Sequence, residues 1–402
     1  MFDDARNQHG MKELLGGVRI LDLTRNIAGP VATMFAAEMG ADVIKVEPPG
    51  GDEMRTWPPF LHGQSAYFVS CNRGKRSISL DLKTPEGKSL FRRLLAHADV
   101  VVENYRPGTL EKMGVGWEDA KLVHPRLVWV SVTGYGRQGP AARAPAYDSM
   151  MQAFTGIMGI TGEAGGAPVR CGGSPIDIAT AYLAWGAMMT GLHAVSSSGR
   201  GVLMEVSLME SALGFMHAYL QAALADLPLP GRLGSETMGM YPMGAFLAAD
   251  GEYCLIQVSN QHQWHRFCST LGAQELLSDS RFGTNPDRVK NRKQLRPLIA
   301  AYILRETAAA WEKKLLVDGI PASHVKSAND VVSNEQVLAR HMIKTAHLPD
   351  GHEFKTWGMP VKMNEDLDTR VLSVPEVDQH RSEILSELDL LETALTKERN
   401  QR

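Results

Sequence analysis

The stretch GVRILDLTRNIAGPVATMFAAEMGADVIKVE, residues 17–47, decides the fold. Val18 to Leu23 is a short apolar run of strand composition, and Asp42 to Glu47 is a second. Between them a Gly-Pro turn leads into a helical run, Val31 to Gly40. Strand, helix and strand in this order read as a β-α-β unit. The alternation continues, with strands predicted at 77–82, 99–105, 127–136 and 202–208 and helices at 85–98 and 177–195. Pro85 is well placed at a helix start. Such alternation predicts an α/β fold: a large, Rossmann-like, doubly wound domain around a mainly parallel sheet.

Past residue 224 the texture changes. A helical run, Met209 to Leu224, ends at the Pro/Gly break LPLPG, residues 227–231. In GAFLAADGEYCLIQVS, 244–259, two apolar runs flank Asp250-Gly251, the signature of a hairpin in a separate, smaller α+β domain. Amphipathic helices are predicted around Trp264 to Leu271 and Arg296 to Leu316. After Pro321 the pattern loosens, and 374–398 reads as a charged amphipathic helix. The expected segments are 1–225 for the large domain, 230–330 for the small one, and 331–402 for a linker and C-terminal segment.

Composition narrows the function. Of 402 residues, 44% are hydrophobic and 22% charged, ample material for packed cores. A net charge of −3 provides no field of one sign to hold nucleic acid or an anionic membrane. Cys71, Cys171, Cys254 and Cys268 form no CxxC pair, which points to a reducing cytoplasm without structural zinc. The N-terminus has no apolar signal core, and the apolar stretch from Ala179 to Val195, broken by Thr, Gly and His, reads as a buried helix.

The common motifs fail. The turn after the first strand is RNIAGP rather than GxGxxG, so the glycines that admit a pyrophosphate are missing. There is no GxxxxGK[ST] loop and no GxSxG elbow. His262 and His265 stand three apart without a third ligand, so no metal site is expected.

Four constellations remain. Arg73, Lys75 and Arg76 precede a strand, Lys83 follows it, and the plain reading of this run is a solvated turn. Asn104, Tyr105 and Arg106 follow a strand end, where ligands of open α/β sheets gather, with Lys112 close behind. An Arg and an Asn there suit phosphate oxygens and a purine edge. Tyr147 and Asp148 open a helix, with Asp148 its cap. Asp177 follows CGGSPI; Ser174 as N-cap, Pro175 at the first position and Asp177 at the third would form a capping box.

The blocks 17–55, NRGKRSISLDLKTPEGK (72–88), ADVVVENYRPGTLEKMG (98–114), HPRLVWVSVTGYG (124–136), GPAARAPAYDSMMQAFTGIMGITG (139–162) and WEKKLLVDGIPASHV (311–325) resemble the class III CoA-transferase family. That family includes formyl-CoA transferase, carnitine CoA-transferase and α-methylacyl-CoA racemase. The resemblance runs from about Leu15 to the C-terminal helix and is looser past about residue 230. It implies that Asp177, thirty positions after Tyr147, is the aspartate that becomes covalently acylated. It maps coenzyme A contacts onto Ile27, Ala28, Leu80, Asp81, Leu82, Lys83, Asn104, Tyr105, Arg106, Lys112, Tyr147 and Asp148. No cofactor is permanently bound on this reading; acyl-CoA and a small carboxylic acid are the substrates, with succinyl-CoA a donor suggested by family habit and Arg170 a carboxylate partner. The resemblance also implies that the C-terminal segment returns to the large domain and that two chains form an interlocked homodimer.

The racemase branch has His where this chain has Tyr147. Moving an α-proton on both faces needs two groups that titrate near neutrality, and a phenol at about 10 is a poor one, so transfer is favoured over racemisation. The other readings are an acyl-CoA isomerase and a non-catalytic acyl-CoA-binding protein in which Asp177 only caps. Where family transferases place a glycine-rich loop over the nucleophile, this chain reads GSETMGMYPMG, 234–244, with Gly239 and Gly244 but no glycine run. In the expected mechanism the carboxylate attacks the thioester, and the N-terminus of the helix at Pro175 stabilises oxyanions and keeps Asp177 ionised.

Overall fold

The computed structural model describes residues 13–363 and 372–400; the polar stretch 1–12 lies outside them. Six parallel strands form the main sheet: β1 (Arg19–Asp22), β2 (Asp42–Glu47), β3 (Arg76–Ser79), β4 (Val100–Glu103), β5 (Val128–Thr133) and β6 (Val202–Ser207). Their order across the sheet is 3-2-1-4-5-6, with β1 between β2 and β4. Helix α1 (Ala28–Glu38) makes the first crossover and is buried along its whole length. Three more helices matter for the site: α2 (Asp148–Phe154), α3 (Pro175–Ser198) and α4 (Arg381–Asn400).

Alternation along the strands explains the two wound faces. Ile20, Val100, Val102, Val128 and Val130 share one core with residues of α1 and α3. Leu21, Val101 and Trp129 point the other way, toward Phe91, Leu94 and the α4 residues Ile384 and Leu388. Buried on both faces, these strands read as nearly continuous apolar runs. Close approach sets two glycines. A Cβ on Gly29 would lie 2.3 Å from Thr24 Cγ2, and one on Gly191 would lie 2.5 Å from Val128 Cγ1. Gly29, at the start of α1, therefore lets the helix approach Thr24 closely.

The basic run 73–76 is internal, not a solvated turn. Arg73 pairs with Glu38 of α1, and both are buried. Lys75 Nζ lies 2.7 Å from Asp22 Oδ2 and also donates to the Pro30 carbonyl and Asn72 Oδ1. Arg76 joins Asp42 to Glu387 of α4, while Arg19 reaches the same two acids. These acids stand far away in sequence, so nothing local signals the pairing.

Two compact units divide the chain. Among the described residues, the first comprises those up to Thr155, Gly172–Phe215 and those from Glu335 on; the second comprises Gly156–Cys171 and Met216–Asn334. This differs from the expected boundaries. Residues 156–171 join the second unit because the Gly234 N–H donates to the Gly162 carbonyl at 2.9 Å and Arg232 donates to the Gly166 carbonyl. The second unit has its own antiparallel sheet of β7 (Met243–Leu247), β8 (Tyr253–Gln257) and β9 (Ala322–His324), with the turn at Asp250-Gly251 between β7 and β8. Its core gathers Trp264, Phe267, Ile299 and Trp311.

Other elements differ from expectation. The run 296–316 is two helices, Arg292–Ile303 and Ala308–Val317, because Thr307 caps the second by accepting from the Ala310 N–H. The run 209–224 breaks at Met216 into Leu208–Phe215 and His217–Leu224. The hairpin Ile343–His347 with Glu353–Trp357 was not predicted, although Pro349-Asp350-Gly351 is a turn signal. No helix among the described residues is long and apolar enough to cross a membrane.

Removing one partner of a buried ion pair leaves an uncompensated charge and costs about 3–5 kcal/mol. Lys75→Met strands Asp22 and is expected to lower unfolding free energy in urea by about that amount. A loss below about 1 kcal/mol would contradict the role assigned to the pair.

Candidate active site

The strand order reverses direction between β1 and β4, and ligands of such sheets sit beyond the carboxyl ends of the diverging strands. Here the two outgoing loops are tied. Asn104 Oδ1 accepts from the Arg25 N–H at 2.9 Å, and Asn104 Nδ2 donates to the Arg25 carbonyl at 2.7 Å. The Arg25 guanidinium stands 4.8 Å from the centre of the Tyr105 ring, within cation–π range. Asn26, Arg106 and Tyr147 help to wall a cleft of about 200 Å³. At the end of β4 Glu103 is buried; burial pushes its carboxyl above the usual range, although it accepts the Tyr105 N–H at 2.9 Å.

Asn104, Tyr105, Arg106 and Tyr147 are thus brought together. Arg25 and Asn26, not Ile27 and Ala28, face the cleft from the first loop. Ala28 is already inside α1 and packs in the core. Arg25 was passed over, yet it is the first charged side chain beyond the carboxyl end of β1. The 80–83 segment stands apart from the cleft. Leu80 and Leu82 insert into the core, Asp81 closes a turn by accepting from the Lys83 N–H at 2.9 Å, and Lys83 is exposed. Lys112 is likewise exposed and outside the cleft lining.

Asp148 caps a different helix from the one expected. Its Oδ2 accepts from the N–H groups of Ile176 (2.7 Å) and Asp177 (3.2 Å), the first turn of α3. Its Oδ1 accepts from Gln152 Nε2 at 2.5 Å. The Ser174 capping box is not formed: Ser174 makes no side-chain cap bond, and its ψ of 63° departs from the extended conformation usual for an N-cap. The amides at the start of α3 are therefore already satisfied by a carboxylate, which removes them as the expected oxyanion donors.

Asp177 is half-buried, and no described residue hydrogen-bonds its carboxyl oxygens. Burial, then the charge of Asp148, pushes it up to about 7. This corrects the expectation that the helix terminus keeps it fully ionised, because Asp148 already offsets that terminus. A carboxyl poised near neutrality on the first turn of a long helix is competent for nucleophilic chemistry.

Arg170 and the 234–244 loop belong to the second unit. There Arg292 donates to the carbonyls of Thr237 and Met238, Asn285 donates to that of Gly239, and Glu236 pairs with Arg296. The loop is held by side chains from 285–296 instead of being a flexible glycine run.

The chain matches the family described as CoA-transferase family III over residues 15–381. It is 38% identical to succinyl-CoA:glutarate CoA-transferase of Mus musculus, covering 93% of this chain and 86% of that protein. It is 34% identical to succinate–glutarate CoA-transferase of Agrobacterium fabrum, covering 96% and 98%. The crystal structure of a CAIB/BAIF family protein from Brucella suis superposes with a TM-score of 0.81 at 35% identity, covering 93% and 99%.

One pKa unit corresponds to about 1.4 kcal/mol. A carboxyl raised from 3.8 to about 7 therefore weakens the fold as pH climbs through that window, by up to about 4 kcal/mol above it, and has little effect near pH 4. Asp177→Asn should accordingly stabilise the protein against urea at pH 8 but hardly at pH 4. Equal shifts at both pH values would contradict this environment for Asp177.

Proposed function

Because this chain belongs to CoA-transferase family III and is a CoA-transferase, we propose that it moves coenzyme A from succinyl-CoA to a small dicarboxylic acid through a covalent intermediate on Asp177. The observation on which this rests is the half-buried Asp177 carboxyl, raised to about 7 and held through Asp148, whose neighbour Tyr147 lines the cleft at the strand reversal.

The Asp177 carboxylate attacks the thioester carbonyl; the C–S bond breaks, coenzyme A leaves as thiolate, and a mixed anhydride forms. The thiolate then attacks the aspartyl carbonyl, releasing succinate and leaving an aspartyl-CoA thioester. The acceptor carboxylate repeats the exchange: it displaces the thiolate, which takes the acceptor's acyl group and frees Asp177. No net proton moves, so no Ser/His/Asp arrangement is needed. The nucleotide end of coenzyme A lies against Asn104, Tyr105 and Arg106, with Arg25 available to phosphate oxygens.

A dicarboxylate acceptor is supported by the two relatives, whose names pair succinate or succinyl-CoA with glutarate. The racemase reading finds no support in Tyr147. A cytoplasmic location is supported by the four cysteines, which form no CxxC pair. A homodimer is supported by Phe154, Leu183 and Phe215, each half exposed or more on the first unit, and light scattering should give a dimer mass.

Asp177→Ala should lower transfer between succinyl-CoA and glutarate by at least about a thousandfold while leaving the fold cooperative. Hydroxylamine added during turnover should inactivate the wild-type enzyme and mark residue 177 in peptide mass spectra. Near wild-type turnover in the variant would end the assignment.

A further inference from the structure

Pro175 has no N–H, so Ile176 and Asp177 offer the first two donors of α3, and both go to one oxygen of Asp148. That carboxylate comes from 28 residues upstream and is itself buried, its second oxygen held by Gln152, which has no exposed surface. We propose that Asp148 is a positioning residue for the transfer reaction: it stands in for the missing N-cap of α3 and fixes the turn that presents Asp177 to the thioester. This role presupposes Asp177 as the nucleophile.

The surroundings single out Asp148. Helix α3 packs against α1, α2, β5, β6 and the helix Leu208–Phe215. The charged groups on these elements are few. Glu38 of α1 is paired with Arg73, Glu205 of β6 accepts from the Arg137 N–H, and Glu210 accepts from Ser207 Oγ at 2.6 Å. β5 has no charged residue, and α3 itself adds only His193. Among the described residues Asp148 is the charge that acts on Asp177, and it acts in the same direction as burial. Cap and charge thus come from one side chain, adjacent to Tyr147 in the cleft wall. The cap fixes where the nucleophile stands; the charge sets the pH at which it becomes reactive.

Asparagine at 148 keeps an oxygen for the two amides but loses the charge; alanine loses both. The rate of hydroxylamine-trapped adduct formation from succinyl-CoA is measured between pH 5 and 9, with the site identified by peptide mass spectrometry. In the wild type it should rise with pH through about 7 to a plateau. Asp148→Asn should move that midpoint down by about half a unit or more. Asp148→Ala should lower the plateau about tenfold below that of Asp148→Asn, because the turn loses its anchor. Equal plateaus in Asp148→Ala and Asp148→Asn overturn the positioning role, a midpoint unmoved in Asp148→Asn overturns the effect of its charge, and either leaves the nucleophile intact. No adduct at residue 177 in the wild type at any pH overturns both. Should the variants not fold, amide exchange in the wild type decides: Ile176 should exchange at least about tenfold more slowly than Gly172, and equal rates overturn the role.

Discussion

Asp22 has no exposed surface, and the Lys75 ammonium against it is the constraint on which the cleft depends. Burial alone would raise this carboxyl, but the charges of Lys75 and Lys45 hold it well below the usual range. Asp22 Oδ1 then accepts from the N–H and hydroxyl of Thr24, and Oδ2 from the hydroxyl of Thr33 on α1. Lys45 closes the far side, donating to the Thr24 carbonyl at 2.8 Å and pairing with Asp52 at 2.9 Å. The loop after β1 is thereby bound before it reaches Arg25, and Arg25 is bound in turn to Asn104. In a dinucleotide-binding domain glycines shape this turn for a pyrophosphate. Here a buried charge cluster shapes it, which explains how one strand order serves without the glycine fingerprint.

The two acids at the start of α3 work by a contrasting principle. Asp148 is saturated, with donors at both oxygens. Asp177, half-buried, has no described donor at its carboxyl. Burying an ionised carboxylate without hydrogen bonds is unfavourable, and its pKa rises until the neutral form is populated. The saturated acid makes the unsaturated one tolerable by fixing its backbone, and makes it more basic by its charge. A helix capped by its own serine would have left both properties to chance.

How much of this was legible follows the range of the interactions. The alternation from Val18 to Glu47 gave the β-α-β unit because each strand is buried on both faces and each helix follows within a few residues. Asp250-Gly251 gave the hairpin because a tight turn is written in two residues. Arg73 and Lys75 were unreadable as core residues, since Glu38 and Asp22 stand 35 and 53 positions away. Asp148 was readable as a cap but not as the cap of α3, because the choice between its own helix and one 28 residues on is tertiary. That Leu80 and Leu82 stand apart from the cleft was unreadable for a similar reason: the strand ends at Ser79, and the apolar side chains beyond it continue into the core.

The same distinction bears on how this scaffold accommodates reactivity. Most charged groups around β1 and β2 are paired, and pairing makes them inert. Reactivity needs an acid that is neither paired nor fully hydrated, and such a group weakens the fold wherever it is placed. With Asp177 as the proposed nucleophile, that place is the N-terminal turn of a 24-residue helix packed along the sheet. Stability lost at one carboxyl is offset by the packing of Ala181, Ala184 and Met188 against the strands. On that proposal the position of Asp177 follows from the need to keep one destabilising acid in a fixed geometry.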